Sequence, residues 1–231
     1  MKRFYATADA APADWGFTVR LDGKPVKTPA KRPLIVPTAA LAEAIAAEWG
    51  GQGDTVAPTT MPVNRLATTA VDLMPERRSG AVEQVVEYAR TDLLCYRAAY
   101  PDALVAAQAR HWDPPLAWLA RRHGVRLAVA TGMVPVAQSE AAVRRLATVV
   151  ATLPDWPLVG LHALTTTTGS VVLALMVHAG ALAGAAAADA ALVDERFERA
   201  QWGEEADAAG RERHLVAEVA AAERFLAALA A

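Results

Sequence analysis

The hydrophobic period of this chain changes at Pro37, and that change constrains the fold more than any other sequence feature. Before it, Trp15-Gly16-Phe17-Thr18-Val19-Arg20-Leu21 alternates large apolar and polar side chains, the two-residue period of a half-buried strand. Asp22-Gly23 supplies the two positive-φ residues of a tight type I′ turn, and Lys24-Pro25-Val26-Lys27-Thr28 returns. Phe4-Tyr5-Ala6-Thr7 and Pro33-Leu34-Ile35-Val36 read as two further short strands. Prolines at 25, 29, 33 and 37 each remove a ladder donor, which confines them to edges and strand ends and keeps the sheet small. After the change, Thr38 is placed to cap a helix carrying Leu41, Ile45 and Trp49 at four-residue spacing, ended by Gly50-Gly51. From Met61 onward the pattern is helical. The fold class expected is therefore α+β: a small N-terminal α+β domain (short antiparallel sheet plus helix) over residues 1–60, then a larger all-helical C-terminal domain over residues 61–231.

Within the second part, Val82, Val85, Val86 and Ala89 stripe one helix, and the paired prolines 114 and 115 are expected to break or kink the next. Residues 126–129 read as a brief extended piece, and Ser139 caps a helix that Pro154 ends. Residues 171–188 form an 18-residue apolar run with a GxxxG spacing at Gly180 and Gly184. The run is barely long enough to span a bilayer and has no basic flank, so a buried core helix is the expectation, without stable membrane insertion. Further helices are expected near 187–200 and 206–230.

Charge narrows the function classes. Across 231 residues, 23 Lys and Arg face 25 Asp and Glu, too even a balance for a dedicated nucleic-acid binder. The distribution is uneven, however: residues 171–231 hold 5 cations and 10 anions. The start of the chain lacks the apolar segment of a secretory signal, and a reducing cytoplasm suits the single cysteine, Cys95. One cysteine also excludes an internal disulfide and any CxxC zinc site. The five histidines form no HxxxH or HExxH, so neither metal nor cofactor is expected. Thr165 to Ser170 lacks the paired glycines and lysine of a phosphate-binding loop, and no lysine follows residue 31; ATP binding is unsupported. No catalytic residue emerges. The rival reading is a cofactor-free small-molecule enzyme whose pocket unites His162 or His178 with a carboxylate.

The sharpest charge anomaly is residues 194–207, where six carboxylates, two arginines, Phe197 and Trp202 give a net −4. An aromatic ringed by acids is how a protein-binding anchor with a charged rim would look.

In order along the chain, several segments resemble one family. They are Arg3-Phe4-Tyr5; Leu21-Asp22-Gly23-Lys24-Pro25-Val26-Lys27-Thr28-Pro29; Pro33-Leu34-Ile35-Val36-Pro37-Thr38; Glu48-Trp49 with Gln52; and Met61-Pro62 with Arg65-Leu66-Ala67. They continue with Thr91-Asp92-Leu93-Leu94-Cys95-Tyr96-Arg97, Gln108 with Trp112-Asp113-Pro114, Gly169-Ser170, and Asp194-Glu195 with Trp202-Gly203. The sequence resembles the assembly chaperones that look after the alpha subunit of the F1 part of ATP synthase in mitochondria and alphaproteobacteria. Glu198 stands where that family commonly has Gln, and Gly50-Gly51 follows the early Glu-Trp pair.

The resemblance implies a two-domain fold and a binding activity without catalysis. Such a protein masks apolar surface on the unassembled F1-ATPase alpha subunit without ATP and yields it to the beta subunit. It implies a bacterial cytoplasmic location (the mitochondrial matrix for eukaryotic relatives) and a free monomer. Asp194, Glu195, Glu198, Trp202 and Glu204 are the expected partner-binding residues, because they form the strongest charge anomaly. Trp49 is expected between layers of the N-terminal core, and Trp112 in helix packing.

Overall fold

The structure, a computed structural model, describes residues 1–132, 136–203 and 207–231. It divides into two compact units: Met1–Arg78 with Pro154–Gly160 and Ala221–Ala231, and Ser79–Leu153 with Leu161–Ala220.

The first unit is built on a four-stranded antiparallel sheet. Strand β1 (Ala8–Ala13) pairs along its full length with β2 (Gly16–Leu21), from Ala8↔Leu21 to Ala13↔Gly16. Strands β3 (Lys24–Pro25) and β4 (Ile35–Val36) both pair antiparallel with β2. Asp22 and Gly23 have φ of 49° and 78°, as the type I′ turn requires. Gly16 is needed for a different reason: a Cβ there would lie 2.4 Å from the Val36 carbonyl oxygen.

Residues 4–7, expected as a strand, are not one. Their backbone is satisfied by side chains instead: the Asp22 carboxylate accepts from Ala6 and Thr7 N–H at 3.0 and 2.8 Å, and the Arg3 guanidinium donates to the Tyr5 and Ala6 carbonyls at 3.0 and 3.1 Å. With those groups engaged, the segment has no need of a ladder.

Helix α1 (Ala39–Gly50) packs on β1 and β2, and Leu41 and Ile45 join Val19 and Leu34 in the buried core. Thr38 caps it, accepting from Leu41 N–H at 3.2 Å. Helix α2 (Pro62–Asp72) follows with its open N–H groups satisfied from outside: the Glu48 carboxylate accepts from Val63 and Asn64 N–H at 2.9 and 2.8 Å. Burial pushes the Glu48 carboxyl up despite these bonds. Beside it the Trp49 indole donates to the Asn64 side chain at 3.1 Å, and Gln52 bonds Ala57, Thr60 and the Glu48 carbonyl. The Glu48-Trp49…Gln52 motif is thus the joint between α1 and α2. Helix α3 (Met74–Glu87) comes next.

The second unit is mostly helical. After two short 3-10 turns come β5 (Tyr96–Arg97), α4 (Asp102–His123), β6 (Ala130–Thr131) and α5 (Glu140–Ala151). They are followed by α6 (Asp155–Thr168), α7 (Val171–His178), α8 (Gly184–Ala191), α9 (Val193–Trp202) and α10 (Ala208–Ala230), of which residues 155–160 of α6 and 221–230 of α10 belong to the first unit. Strands β5 and β6 pair in parallel, β6 beginning directly after the extended piece read from 126–129. Helix α4 is the common partner of α5, α7, α8 and α9. Of the expected break or kink there is no break: it runs on through Pro114 and Pro115, with Trp112 and Pro115 buried.

The 18-residue apolar run is two helices. Helix α7 stops at a Schellman motif: Gly180 adopts φ 65°, its N–H reaches the Val177 carbonyl at 3.0 Å, and Ala181 N–H reaches that of Met176 at 2.9 Å. Every residue from Val171 to Val177 is buried. Among the described residues no helix is long and apolar enough to cross a membrane. Thr165, Thr166 and Thr168 close the end of α6, their hydroxyls donating to carbonyls one turn earlier at 2.8–3.0 Å.

Candidate partner-binding surface

Helix α9 places Asp194, Glu198 and Trp202 at four-residue spacing on one face, with Glu195 beside them. Glu195 and Glu198 are exposed, and Trp202 is 81% exposed at the helix end. Burying a tryptophan contributes more than almost any other side chain, yet Trp15 in the first unit is more open still, at 89%; what distinguishes Trp202 is an open ring beside outward carboxylates. Glu204 lies outside the described residues.

The opposite flank of α9 is pinned. The Arg196 guanidinium bonds Asp189 at 2.7 Å and Glu212 at 2.9 Å, and Arg199 also bonds Glu212. These two arginines hold the Glu212 carboxyl below the usual carboxylate range, Arg199 most strongly. Asp194 is partly engaged: it accepts from the Gln108 amide at 2.7 Å, while Gln108, itself buried, accepts from Ala98 N–H at 2.8 Å. The two cations therefore point toward α8 and α10 and not toward the outward acids. Loss of solvation around its carboxyl pushes Glu195 up, and the charges of Asp194, Glu198 and Glu212 add to that push. Four of the five expected residues thus lie on the outward side of α9, away from the pinned arginines, with Asp194 partly structural.

Sequence reasoning missed Asp92. It is fully buried, accepts from Leu94 N–H at 3.1 Å, the Ser170 hydroxyl at 3.0 Å and Val172 N–H at 3.3 Å, and so holds the N-terminus of α7. Burial raises its carboxyl to about 6. The signal was its place in an apolar run, since an Asp surrounded by leucines needs a partner. Cys95 is buried beside it, its thiol pushed up to about 12 by burial and then by the Asp92 charge. A thiol with so little thiolate character is a poor nucleophile.

Among the described residues neither histidine of the rival reading bonds a carboxylate. His162 shares a surface cavity of about 380 Å³ with Glu87, but its ring bonds the Gln84 side chain at 2.9 Å and Glu87 pairs with Arg90 at 3.3 Å. His178 is half-buried at the end of α7, and burial lowers both imidazoles. Among the described residues no three His, Cys, Asp or Glu side chains gather as a metal site would need.

Comparison with known proteins decides the family. The model of the ATP12 chaperone protein family matches residues 2–120. The chain belongs to the ATP12 chaperone family. Its fold agrees over nearly its whole length with the crystal structure of Atp12 from Paracoccus denitrificans, at TM-score 0.92 and 35% identity, covering 99% of this chain and 98% of that one. A variant of the same protein with one aspartate replaced by lysine matches equally, covering 97% of that chain. A candidate chaperone from Agrobacterium tumefaciens is 38% identical at TM-score 0.92, covering 99% of this chain and 86% of that one. The ATP12 match takes in the Glu48–Trp49 joint and Asp92, both of which hold the fold together. It stops before α9, whose face is reached only by the structural likenesses.

Proposed function

We propose that this ATP12 family member is an ATP-independent assembly chaperone of ATP synthase. It binds the unassembled F1 alpha subunit, covers an apolar interface on it and hands it to the beta subunit. The observation that carries the placement of the binding face is Trp202, open to solvent beside the outward carboxylates of α9. Unassembled subunits expose surface that aggregates, and a chaperone that only binds needs an apolar anchor with charges to steer encounter. The lack of any lysine after residue 31 supports independence from ATP. The assembly role implies that the protein works in the cytoplasm of a bacterium, as a monomer when free.

Replacing Glu195 and Glu198 together by lysine is expected to weaken co-purification with isolated alpha subunit by at least tenfold, about 1.4 kcal/mol. Trp202→Ala is expected to do the same. Neither change touches a buried group, so the unfolding midpoint should stay within a few degrees of wild type. Retention of full binding by both variants would remove α9 from the interface.

A further inference from the structure

The first unit carries two adjoining open cavities. One, of about 390 Å³, is bounded by Phe4, Tyr5 and the segment from Lys24 to Lys27. The other, of about 450 Å³, is bounded by Met1, Val56, Pro58 and Met61. Val26, Lys27 and Trp49 line both, so the two cavities adjoin at these side chains as a two-part groove. Trp49 stands in the shared wall, fixed by its bond to Asn64 at 3.1 Å and by edge contact with Tyr5 at 5.7 Å. The floor is apolar and partly open: Phe4 is 64% and Met1 71% exposed.

The rim is cationic. Lys24 and Lys27 are exposed, and among the described residues neither forms an ion pair. The carboxylate in this lining, Asp22, is turned to the backbone N–H groups of Ala6 and Thr7. Those bonds hold its carboxyl below the ordinary range.

We infer that this groove binds an extended, apolar segment of the client protein whose apolar residues are interspersed with carboxylates. The apolar floor supplies affinity through buried area, while the two ammonium groups reward carboxylates and reject cations. Two successive cavities along one groove suit an extended chain, whose alternate side chains point the same way. The charge preference is opposite to that of α9, so the two faces engage different parts of a client. The client's identity rests on the function proposed above, but the groove's preference is measurable without it.

The test uses short synthetic peptides of Leu, Val and Phe interspersed with Asp, and matched peptides with Lys in place of Asp, titrated into the whole protein. The aspartate series is expected to bind at least tenfold tighter than the lysine series. Phe4→Ala weakens both series. Lys24→Glu with Lys27→Glu inverts the preference while leaving circular dichroism unchanged, and the α9 lysine variant leaves it as in wild type. Equal or tighter binding of the lysine series, no peptide binding, or indifference to the Lys24/Lys27 change would overturn the inference. Isolated alpha subunit is titrated in parallel. Its binding without any peptide preference sinks the groove and spares the chaperone reading; peptide preference without its binding does the reverse.

Discussion

Replacing Trp112 by alanine is expected to lower the unfolding free energy by about 3–5 kcal/mol, the usual cost of emptying a buried tryptophan site. Trp112 is wholly buried on α4, and its indole donates to the Ala190 carbonyl in α8 at 2.7 Å. The Arg97 guanidinium lies 5.2 Å from the ring centre and pairs with Asp113 at 2.8 Å. Alanine removes the packing, the hydrogen bond and the cation's aromatic face together. Phenylalanine keeps most of the volume and loses mainly the bond, so Trp112→Phe should cost about 1–3 kcal/mol. Urea unfolding monitored by circular dichroism reads both, and against a whole-protein stability of about 5–15 kcal/mol the alanine effect is large. A loss of less than about 1 kcal/mol for Trp112→Ala would show that α4 is not the packing centre described.

The second large effect concerns pH. Asp92 titrates near 6 in the fold against an ordinary 3.8, because burial outweighs the bonds from Leu94, Ser170 and Val172. A carboxyl raised by folding stabilises the native state when protonated. Its contribution is complete below about pH 4 and is lost as pH rises through about 6. The shift corresponds to about 3 kcal/mol at most. Glu48 and Glu195 are raised too and act in the same direction. His123, His162 and His178 are lowered and act oppositely, losing stability as pH falls through their range. Asp92→Asn removes one titration and leaves the others as common background. The difference in unfolding free energy between wild type and variant should therefore fall by about 2 kcal/mol from pH 4.5 to pH 7.5, to the disadvantage of wild type. A pH-independent difference would mean that Asp92 titrates normally.

Much of the fold was legible because periodicity and turn chemistry are local. A strand over most of 15–21, the Asp22-Gly23 turn, the Thr38 and Ser139 caps and the helical second part all stand in the structure, although Trp15 lies outside β2 in solvent and Thr18 is buried beside Val19. Failures occurred where distant side chains override local pattern. Residues 4–7 look like a strand, but Asp22 and Arg3 take their backbone groups. Strand β1, Ala8–Ala13, looks like a loop because alanines and Pro12 carry no alternation; its pairing with β2 makes it a strand. The α4 prolines sit in a helix packed by four others, and the 171–188 run hides a glycine stop that periodicity cannot reveal.

The candidate surface divides the same way. Charge counting found α9, because six acids in a short segment are visible without a structure. It could not show that Asp194 is tied to Gln108, nor that Arg196 and Arg199 turn away to Glu212. Glu48, Trp49 and Asp92 belong to segments that carry the family resemblance, yet their side chains mainly secure helix starts and joints. Residues that identify a family and residues that meet its client need not coincide.

The most direct measurement is light scattering of isolated F1 alpha subunit at a temperature where it aggregates, with increasing amounts of this protein. The account predicts suppression that saturates near equimolar ratio, is the same with and without ATP, and is absent for an unrelated aggregating protein. Undiminished scattering of the alpha subunit, or protection that requires ATP, would contradict it.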